Sequence, residues 1–272
     1  MNTGHTTHHM RTLTGGTAGG TTGRMIGVMQ PDAIKTNTIQ KGIDKTTHTN
    51  VKAGDFAAIP SSLKRYFPNQ STKQYIRGGT NADGSCFYHT VGMAINYEGY
   101  WTKSPKEQQV LGKEFRRVIF DSISQEAWSR FWKKNKVSAK DVPDLDDIRK
   151  QIENPSTWAD VFSILFVVDV LGLNILVFDV SAGKLYCGTH NPSVNRPTIL
   201  MAWIHNAHFE PLLELDTQTL KVRTLFSRRK DGRSVLDHIL QLYAKEGCPN
   251  ITIHQILRRR RRRRKRKRFR RK

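Results

Sequence analysis

Cysteine is scarce in this chain. The three residues among 272, Cys86, Cys187 and Cys248, lie far apart and form no Cys-x-x-Cys pair. An odd count at such spacings argues against a disulfide scaffold, and no Cys/His quartet at zinc spacing accompanies it. A reducing, intracellular compartment fits this usage. Long apolar runs are missing too. The most hydrophobic stretch, Ile164 to Phe178, is too short to span a bilayer and is broken by Asp169, Gly172 and Asn174. The first 30 residues contain no apolar signal core, so secretion is not expected. Acidic residues are few, 23 against 45 Lys and Arg, for a formal charge of +22.

That charge is concentrated. Residues 258–272 hold 14 Lys or Arg in 15 positions, and without them 31 basic residues face 23 acidic ones, a body of only +8. The opposite end is just as biased in another sense, because Thr and Gly supply 14 of the first 24 residues. Such a composition buries too little apolar surface to offset chain entropy, so residues 1–50 are expected to be a disordered arm. Residues 51–72 read as a linker or docking segment, with Phe56, Ile59, Leu63, Tyr66 and Phe67 able to settle on a neighbouring domain. A globular domain is expected over 73–216, an extension with one helix over 217–257, and a poly-basic tail over 258–272. With 37% hydrophobic residues the body has enough material for a sizeable core.

Within the globular stretch, Phe87, Val91, Ala94 and Ile95 form a helical stripe directly after the turn-like Asn81-Ala82-Asp83-Gly84-Ser85. Cys86 therefore falls at a helix N-terminus. Ser104-Pro105-Lys106-Glu107 reads as N-cap, first-turn proline and capping-box glutamate of a second helix. A third is expected from Trp158 to Leu171, stopped by Gly172. Strands follow at Asn174 to Val180, Leu185 to Cys187, Thr198 to Ile204 and Phe209 to Leu215, and a last amphipathic helix carries Leu236, Ile239, Leu240 and Tyr243. Helices first and strands afterwards predict an α+β fold with a small central sheet between helices. Trp158 is expected to anchor the core. Trp128 and Trp132 suit either core packing or stacking on a partner.

A cysteine at a helix N-terminus has the means to be a nucleophile, since the dipole end and its free N–H groups stabilise a thiolate. Gly84 would let the preceding backbone adopt a conformation closed to other residues and turn amides toward an oxyanion. Asp83 could brace the same loop. The general base must come from elsewhere in the chain. His205 and His208, at a turn between strands, are the best placed of ten histidines, and His208 is preferred because a core strand follows it. His89 lies beside Cys86 on the same helix but is badly aimed for a base. A metal pair of His205 and His208 lacks a third ligand at sensible spacing.

Asp83-Gly84-Ser85-Cys86-Phe87-Tyr88 resembles the nucleophile motif of ovarian-tumour (OTU) cysteine proteases. Trp158 ahead of an apolar helix and the strand Asn174-Ile175-Leu176-Val177-Phe178 resemble that family's middle block, and His208-Phe209-Glu210-Pro211-Leu212 its closing block. Three blocks in order cover about half of the chain. The resemblance implies a papain-like thiol protease that cuts ubiquitin, or a ubiquitin-like modifier, from its conjugates without metal or organic cofactor. Cys86 would be the nucleophile, His208 the base, and backbone amides at Gly84 and Ser85 part of the oxyanion site. The third triad member, usually Asp or Asn two residues after the histidine, would be Glu210 here, or else Asn206. His89 stands where the family commonly has Arg, so the ion pair that Arg would make is in question.

The arms lie outside this resemblance. Arg258, Arg259, Arg260, Arg261, Arg262, Arg263, Arg264, Lys265 and Arg266 open a run that cannot fold on itself and suits polyanions. Salt-sensitive nucleic-acid binding or recognition by a nuclear import receptor is expected of it. OTU domains flanked by low-complexity arms resemble those of large DNA viruses. If the base were misoriented, the chain would instead serve as a binding module acting through its tail.

Overall fold

The computed structural model describes residues 28–29, 49–68, 70–134, 144–186, 196–205, 207–228 and 234–246. Its centre is a mixed sheet. Strands β1 (Val28–Met29), β2 (Phe56–Ala58), β3 (Lys73–Gly78), β4 (Asn174–Asp179), β5 (Lys184–Leu185), β6 (Thr198–Ile204), β7 (His208–Asp216) and β8 (Val222–Arg223) join in the order β1-β8-β7-β6-β4-β5, with β3 also on β7 and β2 on β3. Among the described strands only β4 and β6 run parallel, in register from Asn174 with Thr198 to Asp179 with Trp203. The β6–β7 hairpin is tight, since Ile204 already pairs with His208 and the Ala207 N–H bonds the Ile204 carbonyl at 3.0 Å.

Both faces of the sheet are covered, which is why β4 and β6 read as nearly continuous apolar runs instead of alternating ones. Ile175, Val177, Ile199, Met201 and Phe209 pack on helices α1 (Cys86–Ala94), α2 (Pro105–Ser122), α3 (Gln125–Lys134), α4 (Leu145–Glu153) and α5 (Val161–Val170). Leu176, Phe178, Leu200, Ala202 and Ile204 face the other way, onto a 3-10 turn at Ser61–Tyr66 and onto α6 (Val235–Lys245). No helix among the described residues is long and apolar enough to cross a membrane.

The α+β class is the one expected, and the capping box opening α2 is in place: the Ser104 hydroxyl accepts the Glu107 N–H and the Glu107 carboxylate accepts the Ser104 N–H. Several elements differ from expectation. β2 and β3 precede the helices, and β3 is hidden in the sequence because its KQYIRG pattern carries an arginine, Arg77, that is in fact buried. The helix expected from Trp158 begins at Val161, where the Asp160 carboxylate accepts the Phe162 and Ser163 N–H groups. Trp158 is left in the preceding loop, 48% exposed, and is not a core anchor. Trp128 and Trp132 pack edge to face at 5.1 Å inside the core. α4 escaped notice because its buried face is only Ile148 and Ile152.

Parts of the flanks join the fold. Val28–Met29, within the arm expected to be disordered, pairs with β8. Leu63, Tyr66 and Phe67, in the segment expected to be a linker or docking segment, are buried in the second core layer. The basic tail lies outside the described residues. Tyr66 ties three distant segments together: its hydroxyl donates to the Glu246 carboxylate at 2.8 Å and accepts the Leu185 N–H at 3.0 Å. Tyr66→Phe removes the hydrogen bonds to the Leu185 N–H and the Glu246 carboxylate together, and urea unfolding should show a loss of about 1–3 kcal/mol. An unchanged midpoint would mean that α6 and the 3-10 turn contribute nothing to the cooperative core.

Candidate active site

α1 begins at Cys86, and the turn before it is braced from three sides. The Asp83 carboxylate accepts the Ser85 N–H at 2.8 Å, and the Asp83 carbonyl accepts the Cys86 N–H at 3.1 Å. Arg116 reaches across from α2 to the Gly84 carbonyl at 2.9 Å. Gly84 is needed for space, not for an unusual φ: a Cβ there would lie 2.3 Å from the Pro155 carbonyl oxygen and 2.8 Å from the Ser156 Cα. The Ser85 and Cys86 amides are thus engaged, whereas the Gly84 N–H between them and Asp83 meets no acceptor among the described residues.

His89 does not face the thiol. Its Nε2 sits 3.2 and 3.3 Å from the two Asp83 oxygens, and its Nδ1 is 3.0 Å from the Tyr100 hydroxyl. The ring fills a space that Gly112 leaves open, since a Cβ at Gly112 would fall 2.0 Å from the ring. The imidazole thus takes up the contact to Asp83. Burial works to raise the Asp83 carboxyl, but the bonds from His89 and the Ser85 N–H prevail and hold it below its ordinary range.

The hairpin delivers His208 to the same place. The Cys86 sulfur lies 3.9 Å from the Ala207 carbonyl oxygen, and the Phe209 N–H points at it, so the thiol rests against the backbone on either side of His208. His208 and Glu210, two apart on a strand, share a face. His208 Nε2 is 3.3 Å from the Thr80 hydroxyl and 3.6 Å from Glu210 Oε1. Thr80 donates its own proton to the Phe209 carbonyl at 2.7 Å. Toward His208 the hydroxyl can therefore only accept, which places the ring proton on Nε2 and leaves Nδ1 as the basic nitrogen. Glu210 is fully buried; Oε1 accepts the Val51 N–H at 2.6 Å, and Oε2 lies 3.2 Å from Arg77 Nη1, itself fully buried.

At Cys86 and His208 charge is disfavoured. Burial pushes the Cys86 thiol up to about 11, with the Asp83 charge adding to it and the Phe209 N–H only partly offsetting it. The helix N-terminus thus does not yield the depressed thiol that its position suggested, because the desolvation of a residue only 3% exposed outweighs the dipole. His208 is driven down to about 4, chiefly by burial and then by His89. The resting pair is thiol and neutral imidazole.

Of the expected residues, Asp83, Gly84, Ser85, Cys86, His208 and Glu210 meet here, whereas His205 is exposed on the hairpin at a left-handed φ of 50°. Asn206, Cys187, Cys248 and the run from Arg258 to Arg266 lie outside the described residues. Thr80, Arg77, Val51 and Tyr100 were not anticipated, and a single threonine or valine leaves no mark in a sequence. Arg116 did leave one: it falls four residues after Gly112, within the stripe of Gln108, Leu111, Phe115 and Ile119 that α2 buries.

No family model matches the sequence, and no curated protein matches it. Among solved structures, an ovarian tumour domain in complex with ubiquitin is similar at 19% identity and a TM-score of 0.39, covering 68% of this chain and 96% of that one. The OTU domain of OTUD1 is similar at 17% identity and a TM-score of 0.34, covering 52% and 85%. The viral OTU domain protease from Dera Ghazi Khan virus is similar at 14% identity and a TM-score of 0.32, covering 54% and 92%.

Burial also lifts the Glu210 carboxyl to about 7, against the pull of Arg77 and the Val51 N–H. A raised carboxyl loses stability as pH rises through its folded value; a depressed imidazole loses it as pH falls. Between the ordinary values of 4.5 and 6.5, the folded pair holds one proton on Glu210 and the unfolded pair holds one on His208, so the two slopes cancel. Glu210→Gln uncovers the histidine. Relative to wild type, its unfolding free energy should then climb with pH in this window by up to about 1.4 kcal/mol per pH unit. Parallel stability curves from urea titrations at three pH values would contradict this.

Proposed function

We propose that the chain is a cysteine-dependent isopeptidase that removes ubiquitin or a ubiquitin-like modifier from its conjugates. The observation that carries this reading is the Cys86 sulfur seated between Ala207 and Phe209, with His208 flanked at Nε2 by Thr80 and Glu210. The resemblance of the Asp83 to Tyr88 and His208 to Leu212 blocks to OTU proteases supplies the substrate class. Thiol hydrolysis of this kind requires no cofactor.

In the first step the Cys86 sulfur attacks the carbonyl of the modifier's C-terminal residue while its proton passes to His208 Nδ1. Because the resting pair is uncharged, transfer accompanies attack and does not precede it. The Gly84 N–H, uncommitted in the turn, is the donor available to the oxyanion. His208 then gives the proton to the leaving lysine amine, and a thioester remains on Cys86. A water molecule, deprotonated by the same nitrogen, hydrolyses it and restores the thiol. Glu210 as carboxylate supports the imidazolium that forms in each half-reaction, with Thr80 keeping the ring in its tautomer.

The resting charges, a thiol near 11 and an imidazole near 4, give a specific reason to keep a second reading: a binding module that acts on nucleic acid through its tail. Ubiquitin with a thiol-reactive C-terminal group separates the two. Intact mass should show one adduct on wild type and none on Cys86→Ala, and Thr80→Val should slow adduct formation by at least about tenfold, as expected when a general base loses its alignment. A folded protein that forms no adduct with ubiquitin or any ubiquitin-like modifier supports the second reading.

The tail is proposed to bind nucleic acid or a nuclear import receptor under either reading. Deleting residues 258–272 should leave turnover of a small fluorogenic substrate intact and abolish the salt dependence of binding to a DNA duplex, where each phosphate contact contributes a slope of about 0.9 in log K against log salt. Unchanged binding would place the nucleic-acid contact on the folded body.

A further inference from the structure

We propose that the backbone of Thr49 to Lys52 is a positioning strap that holds the Glu210 carboxylate, and through it the His208 ring, where thiol attack needs them. The proposal rests on the isopeptidase reading for its consequence but on separate contacts for its evidence. The Val51 N–H donates to Glu210 Oε1 at 2.6 Å, the same oxygen that lies 3.6 Å from His208 Nε2. The Thr49 carbonyl accepts from Arg77 Nη2 at 3.2 Å, while Nη1 of that guanidinium lies 3.2 Å from Glu210 Oε2. The strap therefore grips both members of the buried ion pair, one by its amide and one by its carbonyl.

A third contact ties it to the other support of the histidine. At Gly79 a Cβ would fall 2.0 Å from the Lys52 carbonyl oxygen and 2.8 Å from that of Val51. Gly79 precedes Thr80, the residue whose hydroxyl faces His208 Nε2. Just beyond the strap, the Asp55 carbonyl accepts the Gly79 N–H at 2.9 Å. Strap and Thr80 turn are therefore pressed backbone to backbone, and Val51 is only 6% exposed.

The physical need for such an element follows from the side chain. A glutamate has one more rotatable bond than the aspartate usual at this position of the OTU motif, and Arg77 draws it away from the imidazole. An amide fixed in the chain and aimed at Oε1 removes that freedom and keeps one oxygen on the His208 side. It does so without a side chain, so nothing in the composition of residues 49–52 reveals it. The catalytic unit then includes Thr49 to Lys52 in addition to the residues from Lys73 onward.

Val51→Pro in the full-length chain removes the donor and is the direct test. With a ubiquitin C-terminal fluorogenic substrate, kcat should fall about tenfold or more while KM stays within about threefold, the signature of a group that acts in the transition state only. Val51→Ala, which keeps the N–H, should recover most of the lost kcat. On a Glu210→Ala background the Val51→Pro change should cost no more than about twofold further, because coupled groups are not additive. A folded Val51→Pro protein with wild-type kcat, or an equal loss on both backgrounds, overturns the strap.

Should Val51→Pro fail to fold, amide exchange decides the matter. The Val51 amide should exchange at least about tenfold faster in Glu210→Ala than in wild type, as expected when a buried acceptor is lost. Equal rates in the two proteins overturn the proposal. A wild-type protein that turns over no ubiquitin substrate refutes the isopeptidase reading instead, and the exchange comparison still tests the strap.

Discussion

The Arg116 guanidinium is the interaction on which the rest of the site depends. It is 2% exposed, and its hydrogen bonds run to the carbonyls of Gly84, Gln151, Ile152 and Thr157 and to the Ser85 hydroxyl, with the Tyr88 ring 4.7 Å from its central carbon. A buried cation answered by carbonyl dipoles is stable only if many of them converge. Their convergence here fixes the turn before Cys86, the end of α4 and the loop ahead of α5 relative to one another. Gly84 completes the arrangement by letting the Pro155 and Ser156 backbone come as close as it does.

The opposite half of the site is organised around a buried ion pair of Arg77 and Glu210, with strap and hairpin closing over it. Low-dielectric surroundings raise the cost of every charge, which is why thiol, imidazole and carboxyl are all moved toward their neutral forms. Such a centre is quiet at rest. Under the proposed isopeptidase reading, charge would have to appear during the reaction, and the groups proposed to answer it, Glu210, the Gly84 amide and the helix dipole, are already in place. On that reading, the burial that lowers thiolate population would serve the transition state.

Much of the scaffold was legible because it rests on local chemistry. The capping box at Ser104, the β-branched strand from Asn174, the hairpin between Ile204 and His208 and the apolar face of α6 each follow from the spacing of a few neighbouring residues. So does the placement of Cys86 at a helix start, since the Asn81 to Ser85 turn and the stripe from Phe87 define that boundary. Where reading failed, the cause was tertiary. Trp158 has the bulk of an anchor, yet the Asp160 cap starts the helix after it and leaves it half-exposed in the loop. β3 carries a charge that only a partner across the sheet makes tolerable.

What the sequence determined by itself was the α+β class, the order of its main elements, and a short set of candidate residues, Cys86, His208 and either Glu210 or Asn206, with no choice between the last two. What only the tertiary structure decided was how those residues are held. His208 takes its tautomer from Thr80, 128 positions away in the chain; Glu210 is gripped by an amide 159 positions away; and the thiol's charge state is set by burial against its helix dipole. Desolvation and long-range backbone contacts depend on which surfaces meet, and that information is absent from any local window of the sequence.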